Sequence, residues 1–406
     1  MALLLVLAVS AVAAPVPVVP AASAQLAFQH DVVLSQQIGP RPAGSAADAR
    51  GADYIADQFR RLGYVVERQQ FPFRYFDETR VPSLTVVAPP SSAIHVVTME
   101  FSASTPAEGT EAELVAAGLG TPQDFAGPRL DGKIALVERG TIQFREKAVN
   151  AAAAGAAAVI VYNSQGGPAI GVTLVEPSRI PAVMISQEDG HRLLEMVKSG
   201  PVRLRLIVST VVEQRMTENV IGIKRGTSSP GEIVVVGGHR DSVRVSPGAN
   251  DNGSGTAAVL EAARLLADIP TARTIHFIGF GAEEVGLLGS AFYVKNTTAS
   301  VVGMVNMDMV GRGPAIMAGN LTGHPFMLDI ADTVARRFGL TLRRFRLGQS
   351  DHVSFEQAGI PAVFLHTGDD DAIHTPNDVL DRVNGQLIAT AAGLAAGIVL
   401  EVANRR

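Results

Sequence analysis

The chain has 406 residues, of which 47% are hydrophobic, so it is long enough to form roughly two or three domains with sizeable cores. Its formal net charge of -5 is small, and the sequence contains no run of Lys or Arg. Both features argue against nucleic acid as the main partner. The absence of cysteine excludes disulfide bonds, thiolate zinc sites and a cysteine nucleophile, so any transition metal must be held by His, Asp and Glu.

The first 24 residues form an uncharged segment that is typical of an export signal. An apolar run over residues 3–12 is followed by a small-x-small pattern over residues 22–24, of the kind that signal peptidases cut. Three prolines between them disfavour a membrane-spanning helix. We therefore predict a signal peptide over residues 1–24 and a secreted, extracellular protein, the alternative being a structural apolar N-terminus. No stable membrane insertion is expected after its removal, since no other stretch is expected to be long and apolar enough to span a bilayer.

Residues 25–92 and 93–212 differ in the secondary structure that their apolar residues and turns predict. In the first stretch, apolar spacing predicts a helix over residues 46–62, and the pattern over residues 64–71 predicts a strand. In the second, short β-like runs alternate with turns around one alanine-rich helix over residues 144–154. We predict that residues 93–212 form a self-contained, β-rich inserted domain.

From residue 213 to residue 406, strands and helices alternate, which is typical of a layered α/β fold. We predict a three-layer αβα arrangement around a mixed, mainly parallel sheet. Residues 219–224 and 232–237 flank a turn and predict a hairpin. Further strands are expected over residues 274–280, 301–307 and 362–366, and helices over residues 256–266, 325–338 and 387–402.

Histidine and carboxylate side chains follow three of these strands. His239 ends one apolar strand, Glu283 and Glu284 follow the next, and Asp308 lies between two methionines after a third. In open α/β sheets, ligands bind in the crevice outside the carboxyl ends of the strands. A carboxylate within an apolar run is costly unless it is paired, for Asp308 with Arg312, or bound to a metal.

Three more residues complete the candidate site. Asp241 forms a His-x-Asp pair with His239, and a carboxylate near a ligating imidazole can fix its tautomer. Asp251 lies in a glycine-rich loop before a helix, where helix capping is the structural alternative. His374 precedes a turn and would be unremarkable alone.

The number of these groups suits a two-metal hydrolase. If one carboxylate bridges, each metal has three protein ligands and an open position for water. Glu283 is then not needed as a ligand and can serve as a general base. The candidate metal ligands are His239, Asp251, Glu284, Asp308 and His374.

Six segments occur in this order along the chain: GGHRDSV, GANDNGSGTAA, GAEEVGLLGS, NMDMVG, SDHVSFEQAGIPAV and HTPND. Together they resemble secreted di-zinc aminopeptidases of metallopeptidase family twenty-eight, and IGPRPAGS near the N-terminus is also similar to that family. The resemblance implies that His239, Asp251 and Asp308 bind one zinc ion, that Asp251, Glu284 and His374 bind the other, and that Asp251 bridges. It also implies that Glu283 is the general acid/base.

The function that this resemblance implies is removal of N-terminal residues from peptides that carry a free N-terminus. Two Zn2+ ions per subunit are expected, and Co2+ or Mn2+ are acceptable to the same ligands. Three alternatives remain open: a dipeptidase or carboxypeptidase of the same fold, glutaminyl cyclisation, and a metal-free binding protein. The last alternative predicts missing ligands, and none is missing.

Two segments within residues 93–212 carry a second resemblance: GKIALVERGTIQFREKAVNAAAAGAAAVIVYN and IPAVMISQEDGHRLLEMV. They resemble a protease-associated domain, which implies a role in substrate access or partner contact and not in catalysis.

Four features of the chain need a separate interpretation. Arg240 stands where relatives commonly have an apolar residue, and Ile373 where some carry a tyrosine that stabilises an oxyanion. Residues 350–352, Ser-Asp-His, lack a nucleophile elbow and are interpreted as a pocket wall. The acidic residues 369–371 are interpreted as a solvated loop, with attraction of a cationic N-terminus or calcium binding as alternatives.

Overall fold

The computed structural model describes residues 19–87, 91–127 and 129–405. The chain divides into two compact units: a first unit, Met1–Phe73 with Met216–Arg406, and a second unit, Arg74–Arg215. The second unit starts earlier than residue 93, the predicted start of the insert, because one long strand runs through residues 65–86. Most of the predicted signal peptide, residues 1–18, lies outside the described residues.

Helices and strands are numbered separately, in chain order, along the described ranges. The α-helices are α1 (Ala24–Asp31), α2 (Ala46–Arg61), α3 (Phe144–Ala153), α4 (Gln187–Ser199), α5 (Gly255–Leu266), α6 (Leu288–Asn296), α7 (Pro325–Arg337), α8 (His352–Gln357) and α9 (Gly385–Asn404). The strands are β1 (Val65–Val86), β2 (Ser92–Ile94), β3 (Val97–Thr98), β4 (Thr110–Ala116), β5 (Ile134–Glu138), β6 (Ala158–Tyr162), β7 (Ala182–Ile185), β8 (Arg203–Lys224), β9 (Ser229–His239), β10 (Arg273–Phe280), β11 (Ser300–Met307), β12 (Met317–Asn320), β13 (Arg344–Arg346) and β14 (Ala362–His366).

The first unit is built on a mixed sheet in the order β13-β12-β14-β11-β9-β10-β8. The four strands β14, β11, β9 and β10 are parallel, whereas β12 and β8 are antiparallel to their neighbours β14 and β10. The predicted mixed, mainly parallel sheet is thus confirmed. The predicted hairpin between β8 and β9 is wrong, because β10 pairs with both and separates them. The crossover from β9 through α5 returns the chain to the sheet at that position.

Alternate residues of the central strands pack into two separate cores. Val234 and Val236 of β9 lie in a cluster with α2, α5, α7 and α9, whereas Ile233 and Val235 lie in a cluster with Tyr293 of α6 and with α8. Because successive strand residues point to opposite faces, both faces are covered by helices. This arrangement confirms the three-layer αβα fold.

One helix in the described part of the chain is long and apolar enough to cross a membrane by length and composition, namely α9. This finding corrects the expectation that no stretch after the N-terminal segment meets those criteria. Ile388, Leu394 and Val399 of this helix are fully buried in the same core as α5. The hydropathy of α9 therefore matches its position inside the first unit.

The second unit has a sheet in the order β8-β4-β5-β6-β7-β3, in which β4 to β7 are parallel. The alanine-rich helix lies at Phe144–Ala153, close to its predicted range. A second helix, α4, was not predicted. Ser186 caps it by accepting a hydrogen bond from the backbone N of Asp189 at 3.0 Å, so the Ser-x-x-Asp pattern was an available signal.

The predicted cleavage site lies next to an ordered helix start. Ser23 caps α1, since its Oγ accepts a hydrogen bond from the backbone N of Leu26 at 3.2 Å. The backbone N of Ser23 donates to Oε1 of the buried Glu261 at 2.7 Å. Cleavage after Ala24 would remove both contacts.

Candidate metal centre

The predicted ligands lie together at the carboxyl ends of parallel strands. His239 is the last residue of β9, Glu283 and Glu284 follow β10, and Asp308 follows β11. His374 follows β14 after a short loop. The register aligns these ends, because Phe280 of β10 is opposite His239 and Met307 of β11 is opposite Leu365 of β14.

Asp251 lies between two histidines. Its Oδ1 is 3.2 Å from Nε2 of His239, and its Oδ2 is 3.1 Å from Nε2 of His374. Each carboxylate oxygen thus faces a different imidazole. This is the arrangement that a carboxylate shared by two cations requires.

Each histidine also faces a second carboxylate. Nε2 of His239 is 3.4 Å from Oδ1 of Asp308, and Nε2 of His374 is 2.9 Å from Oε2 of Glu284. Glu283 lies within the same cluster, but its Oε2 is 3.9 Å from Nε2 of His239, farther than Asp251 or Asp308. Two groups of donors that share His239 are close enough to hold a metal ion: His239 with Asp251 and Glu284, and His239 with Glu283 and Asp308.

The donor set fits two metal ions. Oε1 of Glu284 and Oδ1 of Asp308 are buried and accept no hydrogen bond from the described residues, although Oδ1 of Asp308 faces the His239 imidazole at 3.4 Å. A buried carboxylate oxygen without a hydrogen bond is costly, and a cation removes that cost. Nitrogen and oxygen donors of this kind are those that zinc accepts.

Burial and mutual contacts shift the pKa values of this cluster. Hydrogen bonds to Asp251 and Glu284 raise the pKa of His374 to about 10. Burial raises the pKa of Glu284 to about 7 and, with neighbouring acids, that of Glu283 well above its usual range. Burial opposes ionisation of Asp251 as well, but His239 and His374 hold its pKa below the usual value. The acids of the cluster thus outnumber the histidines that can balance their negative charge.

Asp241 supports the site differently from the prediction. Nδ1 of His239 donates to the backbone O of Asp241 at 3.1 Å, whereas the nearest carboxylate oxygen of Asp241 is 3.7 Å away, beyond hydrogen-bond range. The carbonyl thus fixes the tautomer and leaves Nε2 as the electron-pair donor. The Asp241 carboxylate accepts instead from the backbone N of Glu283 at 3.2 Å and of Glu284 at 3.3 Å.

Two residues that were not singled out from the sequence hold the loop that carries Asp251. Asp378 accepts hydrogen bonds from the backbone N of Asn250 at 2.7 Å and of Asp251 at 3.0 Å. Arg41, fully buried, donates to the backbone O of Pro247 at 2.6 Å and to that of Gly248 at 2.8 Å. Both lie in segments that carry the family resemblance, HTPND and IGPRPAGS, which were the available signal.

The interpretation of residues 350–352 as a pocket wall is wrong. Ser350, Asp351 and His352 are buried, and none of them is among the described residues that line the cavity at the cluster. Oγ of Ser350 donates to Oδ2 of Asp308 at 2.7 Å and accepts from Nδ2 of Asn306 at 2.7 Å. Ser350 thus orients a candidate ligand.

Several site residues have backbone conformations that side chains rarely adopt. Ala282, directly before Glu283, has a φ of 58°, and Met309, directly after Asp308, has a φ of 52°. His374 itself has a φ of 58°. Positive φ angles of this kind cost free energy and are typical of functional sites, where the surrounding structure enforces them.

A cavity of about 580 Å3 opens onto the cluster. The charged side chains among its described lining residues are acids and histidines. His366, which was not predicted, also lines it, and its Nδ1 donates to the backbone O of Asp308 at 2.8 Å. The apolar part of the lining consists of Leu287, Met309, Leu347, Phe364 and Ile373.

The acidic residues 369–371 do not behave as one solvated group. Asp370 is buried and pairs with Arg312, and Asp371 is 2.8 Å from Arg312 and 2.7 Å from Arg382. Asp369 is exposed and lines the cavity. Two of the three carboxylates already face guanidinium groups, so these residues do not offer the set of free carboxylate oxygens that calcium binding requires.

Asp31 lies beside the loop that carries Asp251 and predicts a pH dependence of the folding stability. It is fully buried, a Cβ added at Gly253 would lie 2.3 Å from its Oδ1, and burial raises its pKa from 3.8 to about 8. Because the folded state holds the proton more tightly, wild-type stability falls as pH rises from about 4 to about 8, by at most about 1.4 kcal/mol per unit. Asp31→Asn, which cannot ionise, is expected to gain Tm relative to wild type between pH 5 and pH 9. A Tm difference that stays constant with pH would contradict this.

Comparison with known proteins identifies the family of this chain. The model of Peptidase family M28 matches residues 219–399, and that of the PA domain matches residues 110–193. Aminopeptidase YwaD of Bacillus subtilis (strain 168) is 36% identical over 394 residues, covering 92% of this chain and 83% of its own. A probable lipoprotein aminopeptidase, LpqL, of Mycobacterium tuberculosis is 30% identical over 414 residues, covering 88% and 81%.

Solved structures show the same similarity along the chain. An aminopeptidase from Aneurinibacillus sp. strain AM-1 has a TM-score of 0.81 at 33% identity and covers 94% of each chain. BSAP, a zinc aminopeptidase from Bacillus subtilis, has a TM-score of 0.72 at 33% identity and covers 97% of each chain. The resemblance found in the sequence is therefore confirmed: this chain belongs to peptidase family twenty-eight and carries a PA domain.

Proposed function

We propose that this protein is an exported aminopeptidase that removes N-terminal residues from peptides with two zinc ions. The observation that carries the proposal is the position of Asp251, whose two oxygens face His239 and His374 at 3.2 and 3.1 Å. His239, Asp251 and Asp308 would hold one ion, and Asp251, Glu284 and His374 the other. When bound, zinc supplies the Lewis acidity that polarises a carbonyl and acidifies water.

Glu283 is assigned the proton transfers. It lines the cavity, and its Oε2 is 3.9 Å from Nε2 of His239, farther than the nearest oxygens of Asp251 and Asp308, so its carboxylate can stay free of the ion at His239 and act as a general base. Its carboxylate takes a proton from the attacking water and delivers it to the nitrogen of the leaving amine. Asp241 holds the backbone N of both Glu283 and Glu284 and thereby positions the base beside its neighbouring ligand.

The charge of the cavity favours the amino end of a peptide. Two zinc ions, when bound, would offset four negative charges of the surrounding acids, and Asp369 would remain as an exposed carboxylate in the lining. A negative lining attracts an α-ammonium group and repels a C-terminal carboxylate. This charge pattern supports an aminopeptidase over a carboxypeptidase or dipeptidase of the same fold.

A substrate panel tests the proposal. The purified protein is incubated with aminoacyl amides, their N-acetylated counterparts and N-blocked peptides with a free C-terminus, each with and without chelator. We expect hydrolysis of the free-amine substrates alone, and its loss with chelator and return with zinc. Cleavage of N-blocked peptides would overturn the assignment in favour of a carboxypeptidase, and chelator-resistant activity would overturn the role of metal.

Export is part of the same proposal. The predicted signal peptide over residues 1–24 and the similarity to a lipoprotein aminopeptidase support it. The panel is therefore run on culture medium and washed cells as well as on purified protein. Activity confined to the lysed cell interior would contradict export without affecting the catalytic assignment.

A further inference from the structure

Arg240 is a buried cation between two site residues. It follows His239 and precedes Asp241, at a position where an apolar residue was expected by resemblance. Its side chain is 1% exposed and is one of the largest fully buried side chains of the chain. A buried guanidinium is costly unless it is paired and hydrogen-bonded, so its partners indicate what it does.

The partner of Arg240 is Asp48, in the first turn of α2. Nη2 of Arg240 is 2.9 Å from Oδ1 of Asp48 and donates to Oγ1 of Thr217 at 3.0 Å. Nη1 donates to the backbone O of Glu218. One side chain thus connects the end of β9 to α2 and to β8.

Asp48 is itself held in place. It is 2% exposed, and its Oδ2 accepts hydrogen bonds from the backbone N of Gly44 at 2.9 Å and from Oγ1 of Thr217 at 2.8 Å. Arg240, Asp48 and Thr217 therefore form a closed, buried triangle. The contact of Arg240 with Asp48 is an ion pair, and Oδ1 of Asp48 and Nε of Arg240 make no hydrogen bond with the described residues. The directional hydrogen bonds of the triangle run through Thr217, and they restrict the rotamers of the two charged side chains.

The main chain of Arg240 is fixed as well. Its backbone N donates to the backbone O of Phe280 at 2.9 Å, and its backbone O accepts from Nε of Arg41 at 2.6 Å. The side chain adds a third anchor in another direction. Because His239 and Asp241 are joined to Arg240 by peptide bonds, a rotation of this residue would move both.

We propose that the buried Arg240–Asp48 pair is a positioning device that sets the orientation of His239 and Asp241 at the metal centre. Arg240 touches neither substrate nor candidate ligand side chain and acts through its two neighbours. The inference rests on the proposed zinc centre, but it concerns the geometry of that centre and not the choice of substrate.

The two charges can be removed singly or together, which separates stability from positioning. Arg240→Met alone leaves the Asp48 carboxylate buried without its cation, so a fall of about 10 °C in Tm is expected. Arg240→Met combined with Asp48→Asn leaves no uncompensated charge, so its metal-free form is expected to unfold within about 3 °C of wild type. The double variant is thus expected to keep the fold while it lacks the ion pair and the hydrogen bonds of Arg240 to Thr217 and Glu218.

The experiment compares this double variant with wild type and with a matched control. The control is Arg337→Met with Glu401→Gln, a surface pair of the same unit with side chains 52% and 29% exposed. Four quantities are measured: the Tm of the metal-free protein, the zinc affinity by competition with a chromophoric chelator, and kcat and KM on an aminoacyl amide.

We expect the double variant to bind zinc about 10-fold more weakly and, at saturating zinc, to lose about 10-fold in kcat with little change in KM. Arg240→Lys, which keeps the charge but not the planar fork, is expected to recover part of the zinc affinity. Zinc affinity and kcat equal to those of wild type would overturn the proposal. An inactive wild type would refute the aminopeptidase assignment, while the zinc competition would still decide the role of the pair.

Discussion

Glu283→Gln is expected to keep the normal zinc content and to lose about 100- to 10,000-fold in kcat, the range attributed to general acid–base catalysis. The amide has the shape of the carboxylate but cannot accept a proton from water. The nearest oxygens of Asp251 and Asp308 are 3.2 and 3.4 Å from Nε2 of His239, whereas that of Glu283 is 3.9 Å away, so the other donors are expected to hold the metal without Glu283. Zinc content by atomic emission and kcat on an aminoacyl amide check both parts.

Glu284→Gln is the matched control for this prediction. The residue is adjacent and has the same chemistry, but its Oε2 is 2.9 Å from Nε2 of His374, so it should act as a ligand. Its substitution is expected to lower zinc occupancy together with activity. If Glu283→Gln lost zinc and Glu284→Gln kept it, the roles of the two glutamates would be reversed. Full turnover by Glu283→Gln would refute the general base altogether.

Asp251→Asn is expected to damage the centre more than any other single ligand substitution. The residue faces both histidines, and its buried carboxylate is the negative charge that two cations would share. An asparagine offers one neutral oxygen, so both sites lose charge and one loses a donor. Zinc affinity should fall by more than the roughly 10- to 100-fold that loss of a supporting residue costs.

Asp369→Asn is the control for that experiment. This acid lines the same cavity, but it is exposed and is not one of the clustered donors. Removing its charge is expected to leave zinc affinity unchanged. Calorimetric titration of the metal-free proteins measures both variants. Two zinc ions bound to Asp251→Asn with wild-type affinity would rule out a shared carboxylate.

The local pattern of apolar residues was sufficient to predict the strands that carry the candidate metal ligands. The apolar run before His239 and the alternation of strands and helices after residue 213 predicted strands whose carboxyl ends hold polar residues, and β9, β10 and β11 have these positions. Pairing was not predictable in the same way. The turn between β8 and β9 is compatible with a hairpin, but β10, which comes later in the chain, occupies the place between them.

The contacts between side chains within the site were likewise not predictable from the sequence pattern. The spacing of His239 and Asp241 predicted an imidazole beside an aspartate, yet the imidazole bonds the backbone carbonyl while the carboxylate holds the amides of residues 283 and 284. Ser350 was interpreted as part of a pocket wall, but its hydroxyl donates a hydrogen bond to the carboxylate of Asp308. Spacing defines which residues are near, but side-chain rotamers and backbone angles define which atoms meet.

By itself, the sequence determined the family, the αβα class and the set of residues that belong to the candidate centre, because strand periodicity and motif order are local properties of the chain. Only the tertiary structure decided that Asp251 faces two histidines, that Asp378 and Arg41 hold its loop, and that Arg240 is paired with Asp48. These contacts join segments up to about 200 residues apart. They form because buried charges and backbone groups must find partners wherever the packed helices and strands bring them.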